Sequence, residues 1–150
     1  MSLDAATSAE LTGRERLEAL MESPRRPGIV DTLDFDLVEV DDGRVVFEGE
    51  PSRKVYNPIG TVHGGLVCTL LDSVAGCAAQ TTLPKGMGYT SLEIKVNYLR
   101  PVLSSSGKLT AVGTVTKPGR RAAFVDATVV NEDGKLVATA SSTLLVFPIE

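Results

Sequence analysis

Two hydrophobic periods run along this chain, and they predict different elements: short stretches with every second residue apolar, and one stretch in which nearly every residue is apolar. Positions 33–40 (Leu33-Asp34-Phe35-Asp36-Leu37-Val38-Glu39-Val40) and 44–50 (Arg44-Val45-Val46-Phe47-Glu48-Gly49-Glu50) flank Asp41-Asp42-Gly43, a tight-turn composition. They read as a hairpin with one wet face. Further strand patterns cover 89–99, with Leu92, Ile94, Val96 and Tyr98 on one side, then 108–116, 120–131 and 135–147, the last two joined by Asn131-Glu132-Asp133-Gly134. The fully apolar stretch, 65–80, carries Asp72 as its one charge, and a helix of that composition is expected to be buried all round.

Upstream, Leu11, Leu17, Leu20 and Met21 predict a short amphipathic helix ended by Pro24 and Pro27, with 1–6 loose. The Pro- and Gly-containing stretch 82–88 reads as a loop. The order is therefore hairpin, buried helix, then four strands joined by turns. One curved antiparallel sheet wrapped around one helix accommodates it, an α+β fold. Residues 1–27 read as a tail with a short helix, and 28–150 as the single folded domain.

Composition narrows the function. With 150 residues and 43% apolar content the chain can bury one core of ordinary size. A formal charge of −4 and a pI near 5.1 argue against a nucleic-acid footprint. No stretch is long and apolar enough to span a bilayer, and 1–22 lacks a signal peptide's basic start and apolar core, so the expected location is cytoplasmic, away from membranes. Cys68 and Cys77 lie nine residues apart on one helix, about 13 Å, too far for a mutual disulfide. With a single histidine in the chain, a Cys/His metal site has no support, and both cysteines read as small core residues.

The chemistry concentrates at Asn57-Pro58-Ile59-Gly60-Thr61-Val62-His63-Gly64-Gly65, which runs into the apolar helix. A helix N-terminus carries unpaired N–H groups and positive partial charge, and Gly64 and Gly65 let a carbonyl oxygen or anion approach them closely. Such donors suit an oxyanion hole. Asp72 is open to two readings. It is either a general base or nucleophile in a desolvated pocket, or a structural carboxylate, on a narrow solvated face with Thr69 and Ser73 or hydrogen-bonded to a neighbouring loop. His63 alone reads as a structural histidine, and the glycines alone as tight helix entry.

Taken together, Asn57-x-x-Gly60-x-x-His63-Gly64-Gly65 with Asp72 nine residues after the histidine resembles the hotdog-fold acyl-CoA thioesterases of the phenylacetate-degradation (PaaI) type. Thr90-Ser91-Leu92-Glu93-Ile94, Val96-Asn97-Tyr98-Leu99-Arg100-Pro101 and Lys117-Pro118-Gly119-Arg120-Arg121-Ala122-Ala123-Phe124 extend the resemblance over roughly 28–147. It implies that the Gly64 amide, with Gly65 close by, polarises a thioester carbonyl, and that Asn57 and His63 shape that end of the pocket and position the thioester or water. It implies too that Asp72 activates water or attacks directly, and that Ser91 holds the water or carboxylate. Coenzyme A, as part of the substrate, would contact Tyr98 and the segment Lys117, Pro118, Gly119, Arg120, Arg121 and Ala122, whose cations suit its phosphates. Read without the family, that segment is a solvated hairpin turn. No metal or redox cofactor is implied. Leu66, Val67, Leu70, Met87 and Tyr89 are the expected walls of an aryl or medium-chain acyl pocket.

Helix geometry bears on assembly. Gly64 and Asp72 are eight residues apart, about 12 Å along one helix, whereas attacking water and carbonyl must sit about 3 Å apart. Antiparallel packing of two copies of the helix would bring Asp72 of one chain beside Gly64 of the other, giving two sites in a two-fold dimer. The family is similar in this, with sites at a dimer interface and dimers commonly paired into tetramers. Two rival functions remain on the same fold: an acyl-thioester hydratase or dehydratase, and a non-catalytic acyl-CoA-binding domain.

Overall fold

The structure, a computed structural model, describes residues 9–26 and 28–149. Its elements are α1 (Gly13–Glu22), α2 (Gly28–Leu33), β1 (Phe35–Asp41), β2 (Arg44–Gly49), α3 (Gly64–Thr81), β3 (Met87–Tyr98), β4 (Leu109–Lys117), β5 (Ala122–Val130) and β6 (Leu136–Pro148). Single 3-10 turns occur at Arg53–Val55 and Ser104–Ser106. The six strands form one sheet in the order β1-β2-β4-β5-β6-β3, every neighbour antiparallel, and α3 touches all six. This is the sheet wrapped around one helix, the hotdog architecture.

Alternation explains how the sheet closes over the helix. In β5 and β6 nearly every second residue is buried, so Ala123, Val125, Ala127 and Val129 meet Val137, Leu144 and Val146 beneath the sheet. Leu70, Leu71, Val74, Ala75 and Ala78 of α3 fill the space between, each essentially without exposure. Burying each large aliphatic side chain contributes about 1.5–3 kcal/mol. Phe35 and Phe47 meet edge to face, ring centres 5.7 Å apart, and fix β1 on β2.

Three expectations need correction. Helical turn α2 occupies 28–33, where the pattern starts a strand at Leu33; six residues are too few to show a helical period, and Asp34, at φ 57°, breaks the turn into β1. The helix expected from Leu11 onward starts at Gly13, because Thr12 and Glu15 form a capping box there. It ends at Glu22, ahead of Pro24, and its Leu17 is buried in the common core. The expectation that 1–6 is loose lies outside the described residues.

The third correction matters most for function. Strand β3 does not keep one alternation from end to end, because a bulge between Ser91 and Glu93 makes Leu92 an extra, unpaired residue. Before the bulge Tyr89 and Ser91 face α3; after it Ile94, Val96 and Tyr98 do. Leu92, expected on the same side as those three, is 59% exposed. Strict alternation would place Ser91 and Tyr98 on opposite faces, and the bulge brings both to the helix.

Candidate functional site

The stretch preceding α3 closes on itself before the helix starts. The Asn57 side chain accepts from the Ile59 and Thr61 amides (3.1 and 3.2 Å) and donates to Thr61 Oγ1 (2.9 Å), while the Asn57 amide donates to the Thr61 carbonyl (2.8 Å). Asn57 is thereby occupied in holding the loop. His63 is exposed and caps the helix: its Nδ1 accepts from the Gly65 amide at 2.8 Å. That bond makes Nδ1 an acceptor and puts the imidazole proton on Nε2. It also takes the Gly65 amide away from the role of free donor, leaving Gly64 as the glycine whose N–H has no partner among the described residues.

Tyr98 holds the other side of Gly64. Its hydroxyl donates to the Gly64 carbonyl at 2.9 Å, and a Cβ on Gly64 would stand 3.1 Å from the ring. Beside this turn, Asn57, Thr61, Val62, Val67, Arg100 and Pro101 line an open cleft of about 280 Å³.

Helix α3 is not buried all round. Gly65, Thr69, Asp72 and Ser73 follow the helical spacing of one face and lie along an open stripe, with Thr69 and Ser73 half-buried and Asp72 exposed. This is the narrow solvated face that was one of the two readings of Asp72; a stripe so narrow leaves the average composition apolar, which is why the pattern predicted burial all round. On that stripe Ser91 Oγ donates to Asp72 Oδ1 at 2.8 Å. Two residues separated by 19 positions in sequence thus meet, and Asp72 keeps a second oxygen free of protein partners among the described residues.

Three contacts set the direction of the helix: Gly64 with Tyr98, Asp72 with Ser91, and Gly76 with Tyr89. Helix α3 therefore runs antiparallel along β3. Gly76 has to be glycine, because a Cβ there would lie 2.5 Å from the Tyr89 hydroxyl. Burial, with Cys77 and Asp72 nearby, pushes the Tyr89 phenol far above its usual range and keeps it neutral. Burial likewise pushes the Cys77 thiol up to about 12. Cys68 is raised by burial and then by Asp72. Both cysteines are free thiols.

The remaining expected residues lie elsewhere. Lys117, Pro118, Arg120 and Arg121 are exposed on the β4–β5 connection, with Gly119 and Ala122 half-buried among them. Ala122 pairs with Leu145, which in turn pairs with Thr90, so this basic turn shares the Ser91 end of the sheet. Tyr98, paired with Ala138, is at the far end, so Tyr98 and the basic turn of one chain do not form one patch. Between the turn and the loop after α3, Thr82, Leu83, Pro84, Met87 and Val146 line a largely apolar cleft of about 440 Å³, rimmed by Arg120. The expected acyl-pocket walls divide: Leu66 and Leu70 point into the core toward Phe35 and Leu109, Val67 faces the cleft beside Gly64, and Met87 faces the larger cleft. Arg16 was not anticipated; it spans from α1 to the Met87 carbonyl (2.5 Å), and only its side-chain length hinted at that reach.

The model of the thioesterase superfamily matches residues 59–138, which include the Gly64 turn, Asp72, Ser91 and the basic turn. The chain is 30% identical to human acyl-coenzyme A thioesterase 13 over 139 residues, covering 91% of this chain and 96% of that protein. It is 26% identical to the 1,4-dihydroxy-2-naphthoyl-CoA hydrolase of Listeria monocytogenes over 119 residues, 79% of this chain and 95% of the relative. Its fold superposes on the PaaI protein of the E. coli phenylacetic acid degradation operon with a TM-score of 0.79 at 22% identity, covering 91% of this chain and 94% of that one. The chain belongs to the thioesterase superfamily, as a thioester hydrolase on the hotdog fold.

Proposed function

We propose that this protein hydrolyses the thioester of an aryl- or medium-chain acyl-CoA to the free acid and CoA, in a site shared by two chains and without metal or redox cofactor. The observation that carries the reading is the Ser91–Asp72 hydrogen bond on a helix that bears no other charged side chain. It orients one carboxylate oxygen and leaves the other to take a proton from water or to attack the carbonyl. The Gly64 amide, at the positive end of α3, stabilises the oxyanion. The CoA thiolate leaves; with the water route the acid forms directly, and with direct attack an Asp72–acyl anhydride forms that a water molecule then cleaves to the free acid and the Asp72 carboxylate. His63 acts through its cap and Asn57 through the loop, both by fixing Gly64.

The shared site is supported by the form of the open edge. Strand β3 is an edge strand of 12 residues with one side unpaired, whereas the opposite edge, β1, has seven residues and carries Asp36, Glu39 and Asp41. Antiparallel pairing of two β3 strands about a two-fold axis at Ile94 would set Glu93 of one copy opposite Lys95 of the other. On that axis Tyr98, and with it Gly64, stands four residues to one side; Ser91, the bulged Leu92 not counted, stands two positions to the other. The Gly64 turn of one copy then comes level with the Asp72–Ser91 pair of the second to within two residue rises, roughly 7 Å. Exposed Phe124 and Leu145 on the outer sheet face support pairing of dimers into a tetramer.

The basic turn and the cleft beside it would take the nucleotide end of CoA, through Lys117, Arg120 and Arg121. The aryl option gains support from the naphthoyl-CoA substrate in the name of the Listeria relative. Purified protein should release free thiol from a panel of aryl- and medium-chain acyl-CoAs at a rate unchanged by chelator. No release from any of them, with acyl-CoA still bound, would replace hydrolysis by a binding role, and loss of enoyl-CoA conjugation without thiol release would assign a hydratase.

A further inference from the structure

The peptide that joins Gly64 to Gly65 is held at both of its ends. Its oxygen accepts from the Tyr98 hydroxyl at 2.9 Å, and its N–H donates to His63 Nδ1 at 2.8 Å. The His63–Gly64 peptide is held through the His63 carbonyl, which accepts from the Leu66 amide at 3.0 Å, and the Val62–His63 peptide before it through the His63 amide, which donates to the Val55 carbonyl at 2.8 Å. The N–H of Gly64 lies between these fixed groups. Glycine permits many backbone orientations, so two in succession would leave a helix end loosely aimed without such restraints.

We infer that Tyr98 is a positioning residue for the oxyanion-binding amide: its hydroxyl pins the Gly64 carbonyl and its ring covers the Cα, so that the Gly64 N–H points at one place. This rests on the thioesterase reading above, and it assigns Tyr98 a role different from the CoA contact implied by resemblance. Three observations favour it. The hydroxyl's hydrogen-bond partner is the Gly64 backbone. The bulge at Leu92 is what turns Tyr98 toward the helix. Tyr98 also lies seven residues of β6 away from the level of the basic turn in its own chain, roughly 23 Å. Orientation counts at such a donor, because misplacement by about 1 Å can cost on the order of 100-fold in rate, and loss of a whole oxyanion donor about 100- to 1000-fold.

The test is Tyr98→Phe, which keeps the ring and removes the hydroxyl, assayed with the acyl-CoA that the wild-type protein hydrolyses best and with the same acyl group on N-acetylcysteamine, a thioester that lacks the nucleotide. Positioning predicts a fall in kcat of about tenfold with both substrates, KM within about twofold, and an unchanged melting temperature. A rise in KM for acyl-CoA at wild-type kcat, with no defect on the short thioester, would make Tyr98 a CoA contact and overturn the inference. Wild-type kinetics on both substrates would overturn it too, as would loss of helix content, which would make the bond structural. If wild-type protein itself releases no thiol from either substrate, the thioesterase reading falls first and this role with it.

Discussion

Removing the Ser91 hydroxyl isolates what the bulge in β3 contributes to the chemistry. Ser91→Ala deletes the donor 2.8 Å from Asp72 Oδ1 and leaves the carboxylate free to rotate about its side-chain bonds. Hydrogen bonds to a charged group contribute about 1.5–3 kcal/mol when sheltered from water. Both residues are exposed in the single chain, so roughly 1 kcal/mol is the appropriate scale, a fall in kcat of about fivefold. Asp72→Asn removes the base itself and should lower kcat at least about 100-fold with little change in KM. Because Asp72 is open rather than enclosed in the helix core, neither change should move the melting temperature by more than about 3 °C. The decisive quantity is the coupling. Ser91 acts through Asp72, so Ser91→Ala should cost nothing further in an Asp72→Asn background, and the double variant should match Asp72→Asn in steady-state thiol release. Strictly additive losses would mean that Ser91 meets the substrate independently and would refute the reasoning.

Gly113→Ala would set a Cβ 2.3 Å from the Val74 carbonyl, two residues past Asp72, and should destabilise the protein by about 3 kcal/mol, lowering the melting temperature by roughly 6–12 °C in calorimetry. Replacing Lys117, Arg120 and Arg121 by Gln should raise KM for acyl-CoA about three- to tenfold at low salt and less at high salt, with kcat unchanged; a salt-independent KM would remove the turn from CoA binding. The Cys77 thiol, pushed up to about 12 by burial, holds almost no thiolate at pH 8, so iodoacetamide should label Cys68 ahead of Cys77 by mass spectrometry, and Cys77 labelling should rise only as pH approaches that value or the fold opens.

The strands and the long helix were legible because each repeats its period over many residues: alternation in 122–130 and 136–148, and apolar density in 64–81. The hairpin Phe35–Asp41 and Arg44–Gly49 was legible from its Asp-Gly turn. Helical turn 28–33 was not, being shorter than two turns. The site was readable as a set of residue types, Gly64, Asp72 and Ser91, since a lone carboxylate and a glycine pair at a helix entry are costly to keep without a reason. Its geometry was not readable. Nothing in Thr90-Ser91-Leu92-Glu93 announces a bulge, yet that one extra residue decides that Ser91 reaches Asp72 and Tyr98 reaches Gly64. The open stripe along Gly65, Thr69, Asp72 and Ser73 was legible only as one of two readings of Asp72, the narrow solvated face with Thr69 and Ser73. Small and hydroxyl side chains on one quarter of a helix scarcely alter its mean hydropathy, so the composition by itself predicted burial all round.

Complementation between two inactive variants tests the shared site most directly. Asp72→Asn removes the carboxylate, and Gly64→Val puts bulk against the Tyr98 ring where a Cβ alone would stand 3.1 Å away. Each protein should fold and be inactive by itself. Co-expressed, random pairing makes about half of the dimers mixed, and each mixed dimer holds one site with both lesions and one with neither. The account predicts thiol release at roughly a quarter of the wild-type rate per site, carried by the mixed dimer when it is purified with two different tags. A mixed dimer confirmed by mass that remains inactive would contradict it, and would leave Asp72 serving the Gly64 of its own chain or no reaction at all.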